Sequence, residues 1–239
     1  VIQQNTTYFR STGVLQDDAA AVRAEEEYQN ALGRLNVGNF SGAAITAGIM
    51  SHYIADMAVF AHVMGASTDW GAETGNNHSN YESYVGTRTN AYSDTYNSYL
   101  QFDALLSTVS AYDAAKNLAY DTTFDDGGIY TCVWMDNNYD TSNPNSAYWV
   151  RAGQSLNLAV NAVADVLHTL YISSNVQPTS TLLPSQSPLR SPTATPYSIQ
   201  NPTPTSTIPE FPPTTILLLM AALFLVLTSG LIANGKRKS

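Results

Sequence analysis

Three of the four histidines of this chain fall in one stretch, from His52 to Glu82. It reads His52-Tyr-Ile-Ala-Asp56, then His62, then His78-Ser-Asn-Tyr-Glu82. Imidazole and carboxylate are ligands suited to zinc and similar divalent ions. On a helix, residues four apart lie about 40° from one another around the axis. His52 and Asp56 therefore share a face, and so do His78 and Glu82. His62 follows His52 by roughly 15 Å along a straight helix, so the two are expected at different ions. The economical arrangement joins His62 to His78 and Glu82 at one ion. It leaves His52 and Asp56 to one or two neighbouring ions. Three protein ligands with an open position is the pattern of a catalytic zinc, and its chemistry is metal-assisted hydrolysis.

The bland alternative is a set of surface polar residues. It fits poorly, because His52, Asp56 and His62 interrupt an otherwise apolar segment where unpaired polar groups are costly. Other candidates read more simply as structure. His168 follows Asp165 on the last helix, and a lone helical histidine is more often structural than a ligand. Asp125, Asp126 and Asp136 could serve calcium, but loop aspartates commonly form turns. Glu25, Glu26 and Glu27 read as a solvated face. Tyr81, Tyr84, Tyr92, Tyr96 and Tyr99 recur at helical steps and read as a packed stripe rather than a stacking platform for bases. Trp70 is a candidate wall for a substrate groove. Cys132 is the sole cysteine, which excludes a disulfide framework and a cysteine-ligated metal. A net charge of −9 argues against a stable nucleic-acid partner. It permits a small phosphodiester bound through metal ions, which supply the positive charge.

The elements that must position these groups are helical. A first helix is expected from Asp17 to about Leu35, with Val22, Tyr28, Ala31, Leu32 and Leu35 at three- and four-residue steps. Ser41 is expected to cap a second, central helix running to Met64 and ending at Gly65. Residues 66–77 read as loop. A third helix is expected from His78 towards Leu100 and a fourth from Phe102 to Tyr120. Residues 121–146 read as irregular, with room for a hairpin or a cover over the site. A last helix spans Ala147 to Ser173. The fold class is all-α, in a domain at residues 1–174.

The pattern His-x3-Asp-x5-His, a loop, then His-Ser-x-Tyr-Glu resembles the zinc-dependent phospholipase C family, whose fold is shared by fungal single-strand-specific nucleases. The resemblance covers roughly residues 17–173 and implies a multi-helix domain binding up to three zinc ions. It assigns His62, His78 and Glu82 to one ion, His52 to a second and Asp56 to a third. Glu82, where the nuclease branch has aspartate, is similar to the phospholipase branch. The family's remaining ligands, including an aspartate that is its candidate general base, lie upstream of the His-x3-Asp helix. No histidine precedes His52 here and the first residue is Val1. The N-terminal part of such a domain is thus expected to lie outside this chain. The family's proline two residues before the second motif histidine is Phe60, which is expected to alter the helix bend.

Composition changes past the last helix. Residues 175–213 are rich in Pro, Ser and Thr, with Pro202 and Pro204 among them, and read as an extended stalk. Thr214 to Ile232 holds 19 residues without a charge, long enough to cross a hydrocarbon core of about 30 Å. Residues 233–239 carry Lys236-Arg237-Lys238, expected to stay cytoplasmic. Ile208-Pro-Glu-Phe-Pro212 before the apolar run resembles the carboxy-terminal surface-sorting signals of archaeal exported proteins, which implies a sorting enzyme as partner. The domain is therefore expected outside the cell, anchored through its C-terminus to the surface or membrane. Val1-Ile-Gln-Gln-Asn-Thr-Thr7 is neither basic nor apolar enough for an export signal, so the chain is expected to begin after processing or within a longer precursor. Sequons at Asn5 and Asn39 are candidate glycan sites; a third, at Asn77, overlaps the proposed metal site. Two functions remain. One is a zinc-dependent phosphodiester hydrolase with a phospholipid or other phosphodiester substrate. The other is a non-catalytic, metal-binding or self-associating surface protein.

Overall fold

A computed structural model describes residues 6–89, 95–125 and 127–176. The proposed stalk, apolar run, sorting motif and basic tail lie outside these residues, as do Asn5, Tyr92 and Asp126. Among the described residues no helix is long and apolar enough to cross a membrane.

The fold is mostly helical. It begins with a short antiparallel pair, β1 (Tyr8–Phe9) and β2 (Leu15–Asp17), that the sequence did not announce. Then come α1 (Ala19–Asn36) and α2 (Phe40–Asp56). α1 turns Ala20, Ala21, Ala24 and Ala31 inward, all fully buried, so that α2 can pack closely against it. Gly38 adopts φ +75°, the left-handed geometry that lets the chain leave α1 and re-enter α2 within three residues. The cap of α2 is Asn39, whose side chain accepts from the Gly42 N–H at 3.0 Å; it replaces the expected Ser41 cap. The acidic run on α1 is only partly solvated. Glu27 is 4% exposed and pairs with Arg23.

α2 is shorter than its apolar pattern suggested. After Asp56 the backbone tightens into i to i+3 bonds, Met57 to Ile54, Ala58 to Ala55 and Val59 to Asp56. A separate 3-10 turn follows at Phe60–Val63. Met57, Ala58, Phe60, Val63 and Met64 are all buried. A continuing α-helix would spread these five positions over most of its circumference. Breaking the helix lets all of them enter the core.

α3 (Asn77–Thr89) ends well short of Leu100, and a second 3-10 turn occupies Thr95–Ser98. The expected helix at Phe102–Tyr120 is displaced: α4 runs Ala111–Phe124, capped by Ser110, whose side chain accepts from Asp113 N–H at 3.0 Å. The segment before it is not helical because α6 (Ala147–Ser173) holds it open. Four α6 residues, each four positions from the last, bind its backbone. Asn157 donates to the Tyr99 and Gln101 carbonyls at 2.6 and 3.0 Å. Asn161 accepts from Asp103 N–H at 2.9 Å, Asp165 from Ser107 N–H at 2.8 Å, and Thr169 from Val109 N–H at 3.0 Å. These bonds supply what an intrahelical ladder would otherwise provide. Among the described residues between α4 and α6 there is no hairpin but a short helix, α5 (Cys132–Asn137). α6 keeps its expected bounds and is capped by Ser146.

The core lies among α1, α2, α4 and α6. Its aromatic end surrounds the fully buried Trp149, on which Tyr84 stacks at 3.9 Å and Tyr81 at 5.9 Å, with Tyr96 edge-on at 6.0 Å. These tyrosines are packing residues, and Tyr99 joins them against Gly153, where an added Cβ would lie 2.5 Å from the Tyr99 ring.

Candidate metal centre

Three side chains from two separate elements converge. His62 comes from the 3-10 turn, and His78 and Glu82 from successive turns of α3. His62 Nε2 lies 3.2 Å from His78 Nε2. His78 Nε2 lies 2.9 Å from Glu82 Oε1, and His62 Nε2 lies 3.5 Å from the same oxygen. These separations can be tested against an ion. Tetrahedral zinc with bonds of about 2.0–2.2 Å holds its donors roughly 3.3–3.5 Å apart. The three donors face one another at 2.9, 3.2 and 3.5 Å, so one pair matches that shell and the other two would open by a few tenths of an ångström to take up an ion. The His-His-Glu group could hold a metal ion.

The local fold explains the convergence. The break after Asp56 turns the chain so that His62, 6% exposed, faces α3. The loop before α3 is tied down at three places. Trp70 Nε1 donates to the Phe9 carbonyl at 2.7 Å, Gln16 Nε2 to the Ser67 carbonyl at 2.8 Å, and Ser11 to Asp69 at 2.7 and 2.9 Å. Trp70 packs edge-on against Phe124, so it braces the loop instead of lining a groove. Gly65 admits Tyr8 so closely that a Cβ would sit 2.7 Å from its hydroxyl. The start of α3 is fixed by Asp136 of α5, which is 4% exposed. It accepts from Thr74 N–H at 2.9 Å, from the Thr74 hydroxyl at 2.7 Å and from Asn77 Nδ2 at 3.3 Å. Asp136 is thus an anchor, and Asn77 engages with it the nitrogen that a glycan would need. Asp125 is likewise committed, accepting from Tyr130 N–H at 3.2 Å and lying 3.5 Å from the buried Arg151.

The charges of the site are coupled. The hydrogen bond that His78 donates to Glu82, opposed by burial and helped by the charges of Glu82 and Glu73, holds His78 above the usual histidine range. Burial works to raise Glu82, yet hydrogen bonds and charge from His62 and His78 overcome it and bring the carboxyl down to about 2. Asp56 moves the other way. Burial raises it, and the neighbouring Glu82 adds to that, against the pull of His62, His52 and His78. Asp56 therefore stands within electrostatic reach of all three converging groups, although it is not one of them. His52 lies 3.5 Å from Asp56, with its side chain 49% exposed. The straight-helix separation expected between His52 and His62 does not apply, because the helix ends between them.

His168 takes no part in the group. Asp165, its expected neighbour, accepts instead from Ser107, and the buried Nδ1 of His168 has no hydrogen-bond partner. Sequence reasoning missed Glu73, whose Oε1 lies 3.4 Å from His78 Nδ1. It sits in a loop at no helical spacing from the motif, so no sequence signal marks it. A cleft of about 290 Å³ borders His62 and His78 and is walled by Tyr8, Met64, Ala72 and Glu73. A larger groove of about 540 Å³ runs along α1 beside Glu25, Glu26 and Tyr112, but no histidine lines it.

Comparison with protein-family models, with curated proteins and with solved structures finds no match to this chain.

Proposed function

We propose that the chain is a zinc-dependent phosphodiester hydrolase of the phospholipase C type, displayed at the cell surface by its C-terminal segment. The observation that carries this reading is the convergence of His62, His78 and Glu82, whose ligand atoms lie 2.9–3.5 Å from one another. The motif spacing supports it, since the same three residues are those the family resemblance assigns to one ion. A zinc ion bound there would supply an activated water and neutralise charge on the phosphate. The chain's own part is to hold two imidazoles and one carboxylate in place. Glu82 is ready for this, because its carboxyl stays ionised down to about pH 2. Asp56, partly buried and within electrostatic reach of the three donors, would accept a proton or join a second ion.

The second reading, a metal-binding surface protein without catalysis, is favoured by one observation. Among the described residues a single three-donor group is found, and His52 with Asp56 forms only a pair. Zinc-loaded chain assayed on bis-p-nitrophenyl phosphate and on phosphatidylcholine vesicles separates the two. Hydrolysis abolished by His78→Ala supports the enzyme. Zinc binding with a raised melting temperature and no hydrolysis supports the second reading.

A further inference from the structure

We propose that Glu73 is the positioning residue of this metal centre, accepting the Nδ1 proton of His78 so that Nε2 is presented to the ion; this rests on the metal-site reading above. The two ring nitrogens of His78 serve different neighbours. Nε2 faces His62 and Glu82 at 3.2 and 2.9 Å. Nδ1 faces Glu73 Oε1 at 3.4 Å. The two nitrogens lie on opposite flanks of the imidazole, so Glu73 stands behind the ring as seen from the ion and is not a member of the three-donor group.

A ligating histidine needs its other nitrogen protonated. A carboxylate accepting that proton fixes the ring's orientation and makes the ligating nitrogen a stronger donor. Glu73 is built in for such a task. Thr74, its chain neighbour, is held by Asp136 through its N–H and its hydroxyl, and Trp70 is held by the Phe9 carbonyl. Its second oxygen, Oε2, is buried without a hydrogen-bond partner. A carboxylate with a water-accessible alternative would not be expected to leave an oxygen unsolvated. The loop keeps it in the cleft wall, against His78.

The test is zinc titration of the full chain against a chromogenic chelator, for wild type, His78→Ala, Glu73→Ala and Glu73→Gln. Wild type should take up zinc and His78→Ala should not. Glu73→Ala should bind about 10- to 100-fold more weakly. Glu73→Gln keeps an acceptor without the charge and should fall between. Melting of the zinc-free variants reports folding separately. The visible bands of the Co(II)-loaded proteins should keep one coordination number in wild type and Glu73→Ala, and the downfield His78 Nδ1–H resonance of the zinc form should be lost in Glu73→Ala. Wild-type zinc uptake with equal affinity in Glu73→Ala overturns this proposal alone, as does a changed coordination number, which would make Glu73 a ligand. Failure of wild type to bind zinc overturns it together with the reading on which it rests.

Discussion

Two polar regions of this molecule use the same helical spacing for opposite ends. On α6, Asn157, Asn161, Asp165 and Thr169 stand four residues apart, and each is paired with a backbone group of the extended segment between Tyr99 and Val109. Around α3, His78 and Glu82 also stand four apart, but they face His62 and each other, all as ligand-capable side chains. The ladder is internally complete: donors meet acceptors, and nothing more is required. The cluster gathers lone pairs. Two imidazoles and a carboxylate pointing at one centre are favoured by a positive charge there, whether a proton on His78 or a metal ion. Spacing alone does not separate a structural polar stripe from a site. What separates them is the partner each side chain finds across the fold.

That contrast can be broken by substitution. The largest effect should come from the cluster: His78→Ala or Glu82→Ala should weaken zinc binding by at least about 100-fold while the zinc-free variants keep their helical content, since an open three-ligand shell loses a ligand. Isothermal titration checks the first part and circular dichroism the second. The ladder should answer in reverse. Asn161→Ala should cost about 0.5–1.5 kcal/mol of stability, because it removes the acceptor of the exposed Asp103 N–H, which water only partly replaces, and denaturant melting with zinc titration should show that cost at unchanged affinity.

A smaller effect should appear with pH in the zinc-free protein. Glu82, pulled from its ordinary 4.5 to about 2, stabilises the fold fully above 4.5, and that contribution fades as pH falls through about 2. His78, raised above 6.5, contributes fully below 6.5 and loses its contribution as pH rises through its folded value. The cluster should therefore stabilise the zinc-free chain most between pH 4.5 and 6.5. His78→Ala should flatten that maximum in a series of melts, whereas Asn161→Ala should keep it. The smallest effect is expected at His52. Its side chain is half-exposed and lies outside the group of three, so His52→Ala should leave the affinity of the first zinc within about twofold of wild type, well under 1 kcal/mol.

Much of this was legible in the sequence, and the parts that were not have a common cause. α6 declares itself because Ser146 caps it and its apolar period runs unbroken to Leu170. The grouping of His62 with His78 and Glu82 follows from the four-residue step and the motif. The end of α2 did not follow. The run from Met57 to Met64 is apolar in a way that suits a buried helix equally well, and only the core it enters decides that the chain must turn. The false helix at 102–110 failed for a related reason, since the groups that hold that segment open lie nearly sixty residues away on α6. Asp136 and Glu73 were hidden in the same manner. One looked like a turn former and the other like an ordinary loop acid, and both acquire their roles only when the loop before α3 is folded back against α5 and His78.

The central claim, that the three converging side chains form a metal site, is tested most directly by metal content. The chain is stripped with chelator, equilibrated with zinc, dialysed and analysed for bound metal beside His78→Ala. At least one zinc ion per wild-type chain is expected, and none retained by the variant. Equal metal content in the two proteins, or none in either, would contradict it.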